Sequence, residues 1–343
     1  MAKGVDLSRA RVLVTGGAGF IGSNFVHHLR GRYPQCRITV LDKLTYAGNL
    51  ANLEALKDDP GYRFVRGDIC DRNVVAEAMS GSDVVINFAA ETHVDRSIES
   101  AHDFVLTDTY GVFVLLEEAR RGTVRRFLQI STDEVYGEIL SGEADEQAPL
   151  LARNPYAASK IGGDRLAYSY FATHGTPAIV TRCSNNYGPY QYPEKLIPLF
   201  VTNAIEDRPC PVYGSGRNTR DWIHVEDHCR ALVAILEADD VEGETFNIAG
   251  GNERSVLQIG ALILERLGKP SSMLQGVSDR PGHDRRYAID ATKLARKTGF
   301  KPSVDFARGI AETIDWYVKH RSWWESIRSG EFRQYYERMY GAR

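Results

Sequence analysis

RVLVT (Arg11–Thr15) runs directly into GGAGFIG (residues 16–22) and then into SNFVHHLRGRY, and this succession decides the fold. The short apolar run predicts a strand, and Phe20, Ile21, Phe25, Val26 and Leu29 then recur at helical spacing. Glycines between the two mark a tight strand-to-helix turn. Working outward, ITVLD (38–42) predicts a second strand, the loop KLTYAGN follows, and a helix is expected over 50–57. Then come the strand YRFVRGD, a helix over 73–79, the strand DVVINFAA, a long helix over 101–120, the strand RRFLQIST (125–132), a helix from about Tyr156, and the strand AIVTRCSN (178–185). Several strands are apolar at successive positions, as strands covered on both faces of a parallel sheet must be. The expected fold class is therefore α/β: a doubly wound parallel Rossmann sheet with a smaller mixed α/β substrate-binding lobe.

That smaller lobe is expected beyond about residue 186, where the rhythm loosens into YGPYQYPEKLIP, PCPVYGSGRNTRDW and SDRPGHDRRY, loops of the kind that build a cap over a rigid sheet. Residues 1–186 should form mainly the dinucleotide-binding domain and 187–343 mainly the substrate lobe, with some segments returning to the larger domain. The aromatic tail, WYVKHRSWWESIRSGEFRQYYERMY, predicts helix packed on the body or on a partner.

Composition narrows the function classes. Of 343 residues, 43% are apolar and 25% charged, with 42 Lys plus Arg against 45 Asp plus Glu. A net charge of -3 provides no broad basic field for nucleic acid. The five cysteines (Cys36, Cys70, Cys183, Cys210, Cys229) are odd in number, scattered, and form no C-x-x-C pair, which reads as reduced thiols. No metal cage is expected. The start carries no apolar targeting core and no stretch approaches the roughly 20 apolar residues of a membrane span. A soluble cytoplasmic protein is the expectation.

Three motifs carry chemistry. The G-x-x-G-x-x-G spacing of Gly16, Gly19 and Gly22 lets backbone approach a pyrophosphate, and the following helix offers its N-terminus. Asp42 stands 20 residues beyond Gly22 at the end of the second strand, where a carboxylate can accept both hydroxyls of an adenosine ribose and repel a 2′-phosphate. This points to NAD, with Lys43 beside it as the one contrary charge. Asp68 and Ile69 are placed to reach an adenine, and Ala89 and Ala90 allow close approach of the fourth strand, although packing accounts for either pair equally well. Next, Tyr156 and Lys160 lie four apart on one helix face, and a neighbouring cation is expected to lower the phenol's pKa so that it can move a proton. Finally, Ser131, Thr132, Asp133 and Glu134 follow a buried strand at its carboxyl end, where open α/β sheets put their reacting groups.

With these motifs in view, the sequence resembles the extended short-chain dehydrogenases/reductases and, over essentially its full length, the dTDP-glucose 4,6-dehydratases. The stretches that carry the likeness are VTGGAGFIGSNF, LDKLTYAGN, FAAETHVDRSI, ISTDEVYG, NPYAASK, CSNNYGPYQYPEKLIP, GSGRNTRDWIHVEDH and DRPGHDRRYAID. The resemblance implies an NAD-dependent hydro-lyase acting on dTDP-glucose, with Thr132, Asp133, Glu134, Tyr156 and Lys160 catalytic. For NAD it implies Gly16, Gly19, Phe20, Ile21, Gly22, Asp42, Lys43, Thr45, Gly48, Asp68, Ile69, Ala89, Ala90, Thr107, Tyr156, Lys160 and Asn186. For the substrate it implies Thr92, Thr132, Asn185, Glu194, Lys195, Leu196, Pro211, Tyr213, Arg220, Arg280 and His283, the two arginines as diphosphate forks. It also implies a homodimer formed through the helices over 101–120 and 156–173. Phe104, Val105, Val112, Leu115 and Leu116 give the first of these an apolar stripe, which could equally face the sheet.

The chain departs from the family pattern at Thr92 (usually Ser), Asp108 (expected Asn) and Val256 (often Asn). Two rivals frame the reading. A nucleotide-sugar 4-epimerase would share the fold, the Tyr-Lys pair and NAD but would carry small residues in place of Asp133 and Glu134. A catalytically silent NAD-binding regulator would show damage at Tyr156, Lys160 or the carboxylates.

Overall fold

Seven parallel strands form the main sheet of the computed structural model, which describes residues 3–328 and Tyr336. They are β1 (Arg11–Thr15), β2 (Arg37–Asp42), β3 (Tyr62–Arg66), β4 (Val84–Asn87), β5 (Arg126–Thr132), β6 (Ala178–Cys183) and, much later in the chain, Thr245–Ile248. In chain order that last strand is β10, with β7 (Asn185–Tyr187), β8 (Cys210–Tyr213) and β9 (Thr219–His224) before it and β11 (Glu253–Ser255) and β12 (Leu274–Val277) after it, these five lying outside the main sheet. The main sheet runs in the order β10-β6-β5-β4-β1-β2-β3. Every residue of β4, β5 and β6 is buried, so the unbroken apolar runs mark strands covered on both faces. Strand order reverses between β1 and β4, and that switch point is where an open α/β sheet leaves a crevice beyond its carboxyl ends.

Apolar side chains fill both faces, led by Val12, Val14, Phe25, Ile86 and Leu128 on one and Leu13, Val85, Leu115 and Phe127 on the other. A buried polar row crosses the sheet beneath the crevice: Thr15 Oγ1 donates to Asn87 Oδ1 at 2.5 Å, and Asn87 Nδ2 donates to Gln129 Oε1 at 2.9 Å. The helix Pro155–His174 starts at an Asn154 cap, whose side chain accepts from Ala157 N at 2.8 Å, with proline in its first turn, and ends at Gly175 in the left-handed region. Arg182 on β6 locks this helix by forking onto Asp164 at 2.8 and 3.1 Å, both side chains fully buried.

Beyond β6 lie two smaller sheets, β11-β9-β7 and β12-β8, with a third core around Phe200, Trp222, Ile263, Tyr317 and Trp324. The strand expected over 178–185 divides at Ser184: β6 stays in the main sheet and β7 joins the second, so one chain segment hands over between them. The segment expected as a helix over 50–57 is a tighter 3₁₀ turn, Leu50–Leu56. The long helix over 101–120 is preceded by a separate helix, Val94–Glu99, and is itself interrupted by a π-helical turn, Leu106–Gly111, between His102–Val105 and Val112–Ala119. Its stripe faces inward at Phe104, Val112, Leu115 and Leu116, whereas Val105 is 53% exposed and continues into exposed Leu106 and Tyr110. Of the aromatic tail, Phe306–Lys319 and Arg321–Arg328 are helical and bury Tyr317 and Trp324; residues 329–335 and 337–343 lie outside the described residues.

Candidate active site

The cofactor end is built by β1 delivering the glycines into the crevice. Gly16 takes φ +67°, and a side chain there would meet Ala89 N at 2.5 Å; one on Gly22 would meet Gly16 O at 2.3 Å. Loop, helix and the segment just after β4 thus touch through bare backbone, leaving a cradle that fits a pyrophosphate against the N-terminus of Phe20–Arg32. Asp42, nearly buried at the end of β2, accepts from Ala18 N (2.9 Å) and Leu44 N (2.8 Å). Burial raises its pKa against the opposing pull of those two N–H groups. Lys43 turns to Asp68, 2.7 Å away, so the contrary charge is paired within the site. One cavity is lined by all seventeen residues expected at the cofactor, from Gly16 through Thr45, Gly48, Thr107 and Asn186 to Tyr156 and Lys160. The donors, the glycine cradle and the carboxylate at the ribose position are together a chemically suitable set for NAD.

The same cavity continues to Thr92, Thr132, Asp133, Glu134, Asn185 and Lys195. Thr132 ends β5 and caps the turn Asp133–Tyr136, accepting from Glu134 N at 3.3 Å and donating to Asp133 Oδ1 at 3.2 Å. Tyr156 shares a side-chain hydrogen bond with Thr132. Asp133 is 3% exposed, its Oδ2 lacks a hydrogen-bond partner among the described residues, and burial plus the charge of Glu134 pushes its carboxyl up to about 8. Glu134 lies beside Tyr287 OH (3.3 Å) and Asn154 Nδ2 (3.5 Å), a different, polar setting. Two sequence neighbours therefore occupy unlike environments, and Asp133 carries its proton at neutral pH.

The Tyr-Lys pair corrects an expectation. Tyr156 is pushed well above its ordinary value rather than lowered, first by burial and then by the charges of Glu134 and Asp108, with the Thr132 hydrogen bond acting the other way. Helical spacing does bring the two residues to one face, but Lys160 Nζ donates to Ile130 O on β5 at 2.9 Å. Burial lowers the Lys160 pKa, while Asp108 and Asp164 raise it. Asp108 is 1% exposed in the π-helical turn, accepting from Ser159 Oγ (2.8 Å) and Glu91 N (3.1 Å), so this departure puts a carboxyl against the Tyr-Lys helix. Burial pushes Asp108 up to about 6 and, with Asp108 as a neighbour, Glu91 up to about 7.

The remaining expected substrate residues lie outside that cavity's lining. Arg280 Nη1 pairs with Asp95 Oδ1 at 2.8 Å, Tyr213 OH donates to Asp95 Oδ2 at 3.1 Å, and the His283 and Tyr213 rings stand edge to face at 6.2 Å. Arg220 stacks over Tyr287 at 4.1 Å and donates to Asp284 O, and its charge pulls the Asp133 carboxyl downward against burial. Glu194 is buried against Arg96 at 3.1 Å, and Lys195 Nζ donates to Thr92 O at 2.6 Å. Leu196 opens the helix Leu196–Ile205, Pro211 lies on β8, and Val256 opens the helix Val256–Arg266. The sequence reading missed Asn154, Tyr287 and Asp95, all of which stand inside the quoted motifs. It also missed His228, a fully buried cavity residue whose Nδ1 lies 2.9 Å from Asn186 Oδ1 and which burial lowers to about 3, keeping it neutral.

Fold and site define a nicotinamide-dinucleotide α/β enzyme in which a Tyr-Lys pair is joined by two adjacent carboxylates. Residues 13–313 match the family model described as GDP-mannose 4,6 dehydratase. The chain is 53% identical over 323 residues to a dTDP-glucose 4,6-dehydratase of Streptomyces niveus, covering 93% of this chain and 96% of that one. Among solved structures it is similar to DesIV, the dTDP-glucose 4,6-dehydratase of Streptomyces venezuelae with NAD and dTDP bound, at 48% identity and a TM-score of 0.90, covering 92% and 99% of the two chains. A UDP-glucuronic acid 4-epimerase from Bacillus cereus, in complex with UDP-glucuronic acid and NAD, shares the fold at 26% identity and a TM-score of 0.84, covering 90% and 99%. The chain belongs to the family of that matching model and, within it, to the dTDP-glucose 4,6-dehydratases.

Proposed function

We propose that this protein is an NAD-dependent hydro-lyase that converts dTDP-glucose to dTDP-4-keto-6-deoxyglucose and water. The observation that carries the reading is the pair Asp133 and Glu134, held in unlike environments beside Thr132, Tyr156 and Lys160 at the end of β5. A 4-epimerase needs no acid and base at C5 and C6, so the pair favours dehydration. The residues from Gly16 to Gly22 with Asp42 would hold NAD, which when bound supplies hydride acceptance from C4 and hydride donation to C6.

The chain's own residues do the proton chemistry. Tyr156 takes the C4 hydroxyl proton as the phenolate, its own proton having first passed to solvent, while Thr132 hydrogen-bonds the same oxygen; the positive charge of Lys160 favours that phenolate against the burial that opposes it. Once C4 is a ketone the C5 proton becomes acidic, because the carbanion is then an enolate, and Glu134 removes it. Asp133, already protonated at neutral pH, gives its proton to the departing C6 hydroxyl. Glu134 finally returns a proton to C5. Arg220 and Arg280 take the diphosphate, with His283 at its outer end, Pro211 and Tyr213 at the base, and Asn185, Glu194, Lys195, Leu196 and Thr92 around the sugar and phosphates.

Residues 1–186 serve mainly NAD and 187–343 mainly the nucleotide sugar, with β10 as a returning segment. The working form is a cytoplasmic homodimer. Free thiols at all five cysteines suit a reducing compartment, and exposed Val105, Leu106, Tyr110 and Tyr168 on the two helices supply an apolar face for a second copy. The test is Glu134→Gln: it should still reduce bound NAD on adding dTDP-glucose, yet lose both product formation and solvent exchange at C5. Normal turnover by that variant contradicts the assignment.

A further inference from the structure

The C-terminal aromatic segment takes no part in the chemistry above, yet one of its side chains is connected to the glycine loop. Trp323, on the helix Arg321–Arg328, donates its indole N–H to Asn52 Oδ1 at 2.8 Å. Asn52 Nδ2 in turn donates to Ala18 O at 2.9 Å, and Ala18 N donates to Asp42 Oδ2 at 2.9 Å. Asn52 is 2% exposed, so its amide has no water to fall back on. An indole N–H can only donate and a peptide carbonyl can only accept, so these two partners together fix which way the amide faces. Without the indole the orientation of the amide rests on the Ala18 carbonyl alone and its buried Oδ1 loses its donor, so the hold on the Ala18 peptide weakens.

The position of this chain of bonds gives it a consequence. Ala18 lies between Gly16 and Gly19, and both of its backbone polar groups are engaged: the N–H on Asp42, the carbonyl on Asn52 Nδ2 and on Asn49 N at 3.0 Å. The Asn52 carbonyl is itself held by the His27 ring at 2.7 Å, which ties the 3₁₀ turn to the helix that follows the glycines. Trp323 also stands edge-on to Tyr190 (5.9 Å) and to Trp316 (5.1 Å), and Tyr190 leads directly into Gln191 and Tyr192 of the cavity lining.

We propose that Trp323 and Asn52 are positioning residues for the dinucleotide. The indole orients the Asn52 amide, the amide orients the Ala18 peptide, and Ala18 holds the glycine loop and the Asp42 carboxylate in the arrangement the cofactor meets. This rests on the NAD reading above and adds that cofactor affinity depends on a residue far along the chain, in the half given mainly to the nucleotide sugar.

Equilibrium dialysis of the full-length holoenzyme against NAD tests it. Trp323→Phe keeps an aromatic ring and removes the donor, and the ring area it also loses is matched by Trp316→Phe in the same cluster. Trp323→Phe should raise the NAD Kd about five-fold, the size of one lost hydrogen bond, with the Kd for dTDP unchanged within about two-fold. Asn52→Ala should do at least as much, and adding Trp323→Phe to it should bring no further loss, because the two act in series. Trp316→Phe shares the aromatic cluster but not the relay; it should lower the melting temperature and leave the NAD Kd alone. An unchanged NAD Kd in Trp323→Phe, or in Asn52→Ala should the indole variant fail to fold, overturns the proposal. So does equal weakening of NAD and dTDP, which marks general loosening. Wild-type protein that does not bind NAD overturns the functional reading and this inference with it, whereas wild-type binding with unaltered variants overturns this inference alone.

Discussion

Replacing Asp133 by Asn should stabilise the protein while disabling it, and the size of the gain should depend on pH. Asp133 is 3% exposed, and burial together with the neighbouring Glu134 charge holds its carboxyl at about 8 against an ordinary 3.8. Between those two values the native state keeps a proton that the unfolded chain has released, so stability falls as pH rises through that window. At roughly 1.4 kcal/mol per tenfold change in proton affinity, the residue costs the native state on the order of 2 kcal/mol at pH 5 and about 4 kcal/mol at pH 7, levelling off above pH 8. Asparagine keeps the shape, still accepts from Thr132 Oγ1, and has no charge to hold in a buried site. Urea unfolding of the full chain and of Asp133→Asn at pH 5, 7 and 8.5 measures the difference directly. Meanwhile kcat should fall about 10²- to 10⁴-fold for want of an acid at C6. A variant no more stable than the parent at pH 7, or a difference independent of pH, refutes the reasoning.

Other outcomes follow from the same geometry. Asp108→Asn removes a charge that raises both Tyr156 and Lys160, so the pH at which single-turnover NAD reduction sets in should move downward; below about 6, where Asp108 is itself protonated, parent and variant should coincide. Gly22→Ala places a methyl 2.3 Å from Gly16 O and should abolish NAD retention, read as loss of cofactor from the purified protein. Leu106→Glu, at an exposed position of the π-helical turn, should convert a dimer to monomer in sedimentation; a wild-type chain that sediments only as monomer rejects the dimer outright.

Much of the fold was legible because each crossover repeats the same grammar: an apolar run, a turn, a helical period. RVLVT with its glycines and RRFLQIST with its acidic end carry those features within a few residues. What was not legible depends on contacts distant in sequence. Nothing in LTDTYG announces a π-helical turn, which forms where Asp108 and Thr109 meet the Ser159 stretch of the Tyr156 helix. The division of 178–185 into β6 and β7 follows from the pairing of Asn185–Tyr187 with β9, some forty residues on. The electrostatics were read least well: spacing put Lys160 beside Tyr156, but only burial and the surrounding acids reveal that the phenol is raised. Tyr287 and Asn154 escaped for a related reason, since their role around Glu134 comes from convergence of the 279–290 loop, the helix cap and the β5 terminus.

Incubation of the purified protein with dTDP-glucose in deuterated water, followed by mass spectrometry and NMR of the product, tests the central claim most directly. A 4-keto-6-deoxy nucleotide sugar carrying one deuterium at C5 is the predicted result, since Glu134 must exchange its proton with solvent before returning it. Recovery of a sugar inverted at C4 with no loss of water would contradict it.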